Sequence, residues 1–324
     1  MSGVAAPRIA RWDGQSWHPL GSGMNADVRS IISRVENGQT VIYVAGTFTS
    51  AGGVPARRVA RWNGQSWSAL GTGLSGGVES LAFVDHGAGP ILYACGFFTH
   101  TGGIGGQLVN RVARWDGEIW SPLGQGITDS NGYATSLAVF DDGNGPALYM
   151  GGFFSEVDGK PIQGLAKWDG SQWSQVGPSG SPVPWPVNVQ THNTPTGPAL
   201  FVLGGGVVVR WNGVTWTRYE PTLPSARVTE FYDSGDGPQL HVGGGEAAFH
   251  TKIARFTAAG NSGGAACGDF DGDGVVTQAD LGILLANYTC TGAPGDCPGD
   301  TDNDGDVDQS DLGTLLANFG KECG

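Results

Sequence analysis

One heptad-length phrase recurs five times: Arg11-Trp12-Asp13-Gly14-Gln15-Ser16-Trp17, then Arg61 to Trp67, Arg114 to Trp120, Lys167 to Trp173 and Arg210 to Trp216. Each copy reads basic residue, Trp, Asp or Asn, Gly, two variable residues, Trp. Asp-Gly and Asn-Gly are strong hairpin signals, because a type I′ turn needs positive φ at both central residues. A two-residue turn at Asp13-Gly14 would set Trp12 opposite Gln15, Arg11 opposite Ser16 and Ala10 opposite Trp17. Trp12 and Trp17 would then share one face of the ribbon, diagonally in contact, with Arg11 on the other face. Ten of the eleven tryptophans hold these paired positions, so the pair is the unit of the fold.

The segments between hairpins repeat as well. Arg58-Val59-Ala60-Arg61-Trp62 and Trp67-Ser68-Ala69-Leu70-Gly71 flank the turn. An apolar run follows from Val78 to Val84, then another, Ile91 to Gly96, which ends in Gly-x-Phe-Thr or a relative (Gly46 to Thr49, Gly96 to Thr99, Gly152 to Ser155). Gly-Pro precedes this last run at Gly89-Pro90, Gly145-Pro146, Gly197-Pro198 and Gly237-Pro238, where proline at the start of a strand costs no ladder bond. Four short strands per unit, repeating every 43 to 53 residues, predict an all-β propeller over residues 1–256. Five blades are expected, with six as the alternative. The strands Arg8 to Trp12 and Lys252 to Phe256 compete for one place beside the run at His241, and the surplus strand is free to lie at an edge or pair between molecules. The fourth unit lacks Gly-x-Phe-Thr and carries Trp185 in Ser181-Pro182-Val183-Pro184-Trp185-Pro186. That tryptophan is expected to pack on the rim, with a ligand platform as the competing role.

Charge divides the chain. The formal net charge is −13. Twelve acidic residues and one lysine fall from Cys267 onward, a net of −11, which leaves −2 for the first 266 residues. Neither part offers the basic face that phosphate binding needs, which excludes a nucleic-acid partner held by charge. No run approaches the 18 apolar residues of a membrane span. Residues 257–266, Thr-Ala-Ala-Gly-Asn-Ser-Gly-Gly-Ala-Ala, read as a linker. Four of the five cysteines (Cys267, Cys290, Cys297, Cys323) crowd into the acidic tail, a pattern that points to disulfides and an oxidising compartment. Cys95 reads as a buried free thiol. No signal peptide is visible at Met1-Ser2-Gly3-Val4.

The tail carries the sharpest chemistry. Two twelve-residue registers start at Asp269 and Asp300. Oxygen ligands at positions 1, 3, 5, 9 and 12, a backbone carbonyl at 7 and Gly at 6 suit a calcium ion. The ligands are Asp269, Asp271, Asp273, Val275 (carbonyl), Thr277 and Asp280 in the first loop. In the second they are Asp300, Asp302, Asp304, Asp306 (carbonyl), Asp308 and Asp311. Magnesium prefers fewer protein ligands and stricter octahedral geometry. Each loop runs into Asp-Leu-Gly-x-Leu-Leu-Ala-Asn, at 280–287 and 311–318, whose leucines give a helix one apolar face. A disordered acidic tail would explain the charge but not the doubled register.

Residues 268–320 resemble a type I dockerin: two loop-helix calcium motifs with no entering helix and Asp at position 12. The resemblance implies two Ca²⁺ ions and a cohesin-like partner, chosen by positions 10 and 11, here Gln278-Ala279 and Gln309-Ser310. These differ from the Ser-Thr pairs of many cellulosomal dockerins, and the cysteines resemble dockerin-like tails on exported proteins of other environmental bacteria. Within the doubled motif, pairing Cys290 with Cys297 and Cys267 with Cys323 respects the pseudo-symmetry, as does one other arrangement. The first 256 residues resemble secreted bacterial propellers with Trp-Asp-Gly-x-x-Trp repeats, distantly kelch-like, which implies architecture only.

No catalytic constellation stands out. The six histidines are scattered, and His-Glu-x-x-His and Gly-x-Ser-x-Gly are missing from the sequence. Asn63 and Asn212 replace Asp13, Asp116 and Asp169, so turn geometry explains those acids better than catalysis. Arg11, Arg61, Arg114, Lys167 and Arg210 are expected on a solvated outer face. The expected function is an extracellular, secreted or cell-surface, non-catalytic interaction protein. Its propeller is a rigid display surface, coupled through the calcium module to a protein partner or to further copies of itself. The alternative is a glycan-binding or polysaccharide-degrading component of a cohesin-dockerin complex.

Overall fold

The computed structural model describes residues 7–103, 105–177, 180–183, 185–194, 197–219, 226–233, 238–244, 252–256, 270, 276–289, 301 and 307–321. Four antiparallel four-stranded sheets follow one another. The first joins Val28–Glu36, Gln39–Gly46, Val59–Trp62 and Trp67–Ala69 in that order. The second joins Val78–Asp85, Pro90–Gly96, Val112–Trp115 and Trp120–Pro122. The third joins Tyr133–Asp141, Pro146–Phe153, Leu165–Trp168 and Trp173–Gln175, and the fourth joins Asn188–Thr194, Gly197–Gly204, Val207–Trp211 and Trp216–Tyr219. Each sheet therefore takes its two outer strands from the Trp hairpin of the following repeat. This offset ties successive repeats together covalently.

The contest for one strand place has an outcome. Lys252–Phe256 lies beside Pro238–Gly244, which lies beside Ala226–Asp233, in a three-stranded sheet. The first hairpin, Ala10–Trp12 with Trp17–Pro19, stands as a two-stranded sheet of its own.

The Trp hairpin departs from the expected two-residue turn. Trp12 lies directly opposite Trp17, Arg11 opposite His18 and Ala10 opposite Pro19, so the loop holds four residues. The Asp13 carboxylate is the reason. Its Oδ1 accepts from the backbone N–H groups of Gln15 and Ser16, both at 2.8 Å, and only Gly14 takes a positive φ. Asn63 and Asn212 do the same with an amide oxygen, which is why Asn and Asp exchange freely here. The resulting Trp pairs are uniform, with centroids 4.9 to 5.4 Å apart and rings tilted by 41 to 52°. True two-residue turns with positive φ at both positions occur elsewhere, at Asn37-Gly38, Gly52-Gly53 and Asp158-Gly159.

Two devices repeat between sheets. The second tryptophan of a hairpin donates its indole N–H to a leucine carbonyl one repeat back: Trp67 to Leu20 (2.8 Å), Trp120 to Leu70 (3.0 Å) and Trp173 to Leu123 (3.1 Å). Near the start of each first strand a serine hydroxyl accepts from the backbone of the next sheet: Ser30 from Leu81, Ser80 from Leu137 and Ser136 from Val189, each at 3.1 Å. All three serines sit beside a register shift, which leaves a ladder N–H without its usual partner. Apolar clusters fill the gaps between sheets, and three of them contain Phe48, Phe98 and Phe154, the phenylalanines of the Gly-x-Phe-Thr motif and its relative. Cys95 is fully buried and free, and burial pushes its thiol well above the usual range.

By compactness the chain divides into residues 1–231 with 242–253, and residues 232–241 with 254–324. The second unit contains two helices, Gln278–Ala286 and Gln309–Asn318, over a small core of Val276, Leu284, Val307 and Leu315.

Candidate functional site

The helical unit carries the same loop-closing bonds in both halves of its doubled register. The carboxylate at position 12 of each register is buried, Asp280 completely and Asp311 at 1 % exposure. Asp280 accepts from the N–H of Phe270 at 2.6 Å and of Thr277 at 2.7 Å. Asp311 accepts from Thr301 at 2.5 Å and Asp308 at 2.8 Å. Both pairs of donors are positions 2 and 9, so each carboxylate draws the two ends of its own loop together. It also stands at the third position of its helix, where the unsatisfied N–H groups favour an anion. Asp308 caps the second helix by accepting from Ser310. Val276 and Val307, at position 8 of each register, reach across to the other half: Val276 bonds Gly320 and Lys321, and Val307 accepts from Thr289.

Of the expected calcium ligands, Thr277, Asp280, Asp308 and Asp311 are described. Asp269, Asp271, Asp273, Val275, Asp300, Asp302, Asp304 and Asp306 lie outside the described residues, as do Cys267, Cys290, Cys297, Cys323 and the linker 257–266. Asp280 and Asp311 are oxygen donors of the kind a calcium loop uses; among the described residues no three His, Cys, Asp or Glu side chains gather as a metal site.

The leucines do not all face inward as their spacing suggests. Leu284 and Leu315 are fully buried, while Leu285 and Leu316 are each 54 % exposed. One turn further on, Tyr288 and Phe319 are exposed too. The helical unit thus presents an apolar pair, Leu with an aromatic ring three residues later, twice over.

On the sheets, the expected ring of solvated cations is only partly so. Arg61 binds Glu36 at 2.6 Å, and Glu36 also accepts from the Tyr43 hydroxyl at 2.6 Å. Lys167 pairs with Asp142, which accepts from Tyr149. Partial burial would raise the Glu36 carboxyl, but Tyr43 and Arg61 outweigh it and hold it below its ordinary value. Arg11 and Arg114 are exposed. These groups stitch strands together within a sheet, a role that the alternation of faces alone could not reveal.

Ser16, His18 and Asp13 cluster on the first hairpin loop in the residue types of a hydrolytic triad. Their geometry forbids that chemistry. Asp13 Oδ2 at 2.5 Å and Ser16 Oγ at 2.9 Å both address His18 Nε2, whereas a relay needs the acid and the hydroxyl on opposite ring nitrogens.

Trp185 is 41 % exposed and is the end of an aromatic row that the sequence did not reveal. Phe97 stacks on Tyr133 (4.7 Å), Tyr133 on Phe153 (5.1 Å) and Phe153 on Trp185 (6.2 Å, 5° between planes). Phe97 and Phe153 are the variable residues of Gly-x-Phe-Thr, so the row follows the ends of successive sheets. Ring faces inside it cover one another, which leaves open stacking faces only at the ends.

The family model for the Rax2 C-terminal beta propeller domain matches residues 12–183. The chain belongs to that family. The four blade-like sheets are the propeller's blades, and the Trp hairpins are their outer strands. No curated protein matches the sequence. Among solved structures the propeller is similar to the major allergen Mala s 1 of Malassezia sympodialis, at 11 % identity and a TM-score of 0.40, over 67 % of this chain and 72 % of that one. It is also similar to CoXyl43, a GH43 beta-xylosidase/alpha-arabinofuranosidase from a compost microbial metagenome, at 12 % identity and a TM-score of 0.34, over 77 % and 96 %.

Proposed function

We propose that this protein is an extracellular, non-catalytic interaction protein: a β-propeller scaffold coupled through a calcium-stabilised, dockerin-like helical module to a protein partner or to further copies of itself. The observation that carries the reading is the duplicated apolar pair. Leu285 with Tyr288 and Leu316 with Phe319 stand at equivalent places in the two halves and are all exposed. Four large apolar side chains left exposed beside the four buried among the described residues are costly unless something covers them. The doubled register offers oxygen ligands for two Ca²⁺ ions, whose charge would offset the acidic loops and fix the helices that carry the surface. The first hairpin adds to the case, since Trp17 is 64 % exposed where its counterpart Trp173 is 1 % exposed.

The test is the association state of the full chain, by size-exclusion with light scattering and by capture of a cohesin domain, with calcium and with chelator. Association in calcium that disappears with chelator, and in Leu285→Asp/Leu316→Asp, is the expected result. A monomer under every condition that captures no cohesin would count against it.

A glycan-binding role has one observation in its favour, the exposure of Trp185 at the end of the aromatic row.

A further inference from the structure

Three departures from the repeat meet at one place on the propeller. In the first four repeats the residue before the left-handed position (Arg8, Arg58, Arg111 or Gly164) is Pro7, Arg57, Asn110 or Gln163, so among these only the second sets an arginine there. The ribbon after Gly-x-Phe-Thr takes six residues at Ser50–Pro55 and at Glu156–Pro161, but nine from His100 to Leu108, where the additions are glycine-rich. The first residue of that ribbon is Ser50, His100 or Glu156. Arg57, the glycines and His100 all line a single cleft of about 1240 Å³. Features that serve only the fold recur from blade to blade. These do not recur, yet they converge.

The cleft is a surface of hydrogen-bond donors. Arg57 is exposed, and among the described residues it makes no ion pair. It lies against Gly103, where an added Cβ would come within 2.1 Å of its Nη1. Arg58 beside it is already committed to the Thr47 carbonyl. Ser75 Oγ accepts from the N–H groups of Thr99 and His100, each at 3.1 Å, which occupies both lone pairs and leaves its own proton to donate. Thr49 Oγ1 accepts from the Asn25 amide at 2.8 Å and likewise has a proton to give. Among the described residues lining the cleft, none is acidic.

We propose that this cleft binds an oxyanion, a carboxylate, sulfate or phosphate carried on a small hydroxylated ligand. Arg57 supplies the planar fork that such a group accepts in two parallel bonds, and Ser75 and Thr49 donate to its remaining oxygens. Gly103 keeps the guanidinium flat on the cleft wall. Every residue named in the site belongs to the first compact unit, so the proposal rests on no calcium loop.

The experiment is a titration of the full-length, ¹⁵N-labelled protein in excess chelator with glucuronate, sodium sulfate, sodium phosphate and glucose. Saturable shifts at Ser75, His100, Gly102 and Gly103 are expected with the three anions and not with glucose. Arg57→Gln should weaken binding about tenfold or more, and Arg57→Lys by less, because the charge survives but the fork does not. Gly103→Ala displaces the guanidinium and should weaken binding with Arg57 still present. Tighter binding of glucuronate than of the inorganic ions assigns the anion to a sugar acid, and equal binding assigns it to free sulfate or phosphate. Glucose shifting the same amides as strongly, Arg57→Gln binding as well as the parent, or no saturable shift from any anion would each overturn the proposal.

Discussion

Single side chains do two jobs in this propeller, and the indole shows it most clearly. In the buried copies the second tryptophan fills the gap between two blades and also satisfies a leucine carbonyl belonging to the repeat before. Phenylalanine would keep most of the first job and none of the second. Trp120→Phe removes one of the two donors to the Leu70 carbonyl, which keeps the Gly73 N–H, and a lost hydrogen bond of this kind costs about 1 kcal/mol. Urea unfolding followed by circular dichroism should therefore show a lower midpoint for Trp120→Phe. Trp17→Phe should change the midpoint little, because that ring is mostly in water. Equal effects from the two substitutions would mean that the bond to Leu70 contributes nothing. Trp216 differs: among the described residues its indole nitrogen is buried without a partner.

At the scale of elements, the hairpin loop sets a pH dependence that its sequence variation makes testable. Ser16 and Gln15 N–H bonds, with His18 beyond them, hold the Asp13 carboxyl well below its ordinary value. Ile119 and Glu118 N–H groups do the same for Asp116. Partial burial pushes Asp169 up, but the N–H groups of Gln172 and Ser171 and the Ser171 hydroxyl outweigh it and bring it to about 2. A carboxyl whose folded value lies below its unfolded value of 3.8 stabilises the fold above that value. The contribution is lost as pH falls from about 4 toward 2. Asn63 and Asn212 close their loops without titrating. Asp13→Asn/Asp116→Asn/Asp169→Asn should thus melt somewhat below the parent at neutral pH and converge with it between pH 4 and 2, a flatter fall than the parent's. A fall as steep as the parent's would remove these loops from the acid response. Legibility follows the same line. The repeat, its four strands and the two helices are written in apolar spacing and turn residues. The four-residue loop was not, because Asp-Gly serves an Asx-closed loop as well as a type I′ turn. The cleft at Arg57 was hidden for a different reason: its residues come from two repeats and are unusual only by comparison with the other copies. The aromatic row had the same cover, since Phe97 and Phe153 stand at a variable place in their motif.

For the molecule as a whole, the two units differ in what holds them together. The blades enclose several large apolar clusters, each spanning neighbouring sheets. Among the described residues the helical unit buries four apolar side chains and a pair of carboxylates, and a module of this size commonly needs a metal or disulfides to be stable. Metal that binds only the folded state adds RT ln(1 + [L]/Kd), about 2.7 kcal/mol per site at a hundredfold excess over Kd. Chelation should therefore melt one unit and spare the other. The sequence provides separate reporters, because all eleven tryptophans lie between Trp12 and Trp216, outside the tail. Calorimetry in calcium should show two transitions, and chelator should lower one of them and leave the other in place. Tryptophan fluorescence should follow only the unmoved transition, while the helical signal at 222 nm is lost with the one that moves. Asp280→Asn/Asp311→Asn, which replaces both position-12 carboxylates, should reproduce the chelated profile without chelator. A helical signal indifferent to calcium, or a tryptophan transition that falls together with it, would mean either that the tail holds no metal or that the units do not unfold separately.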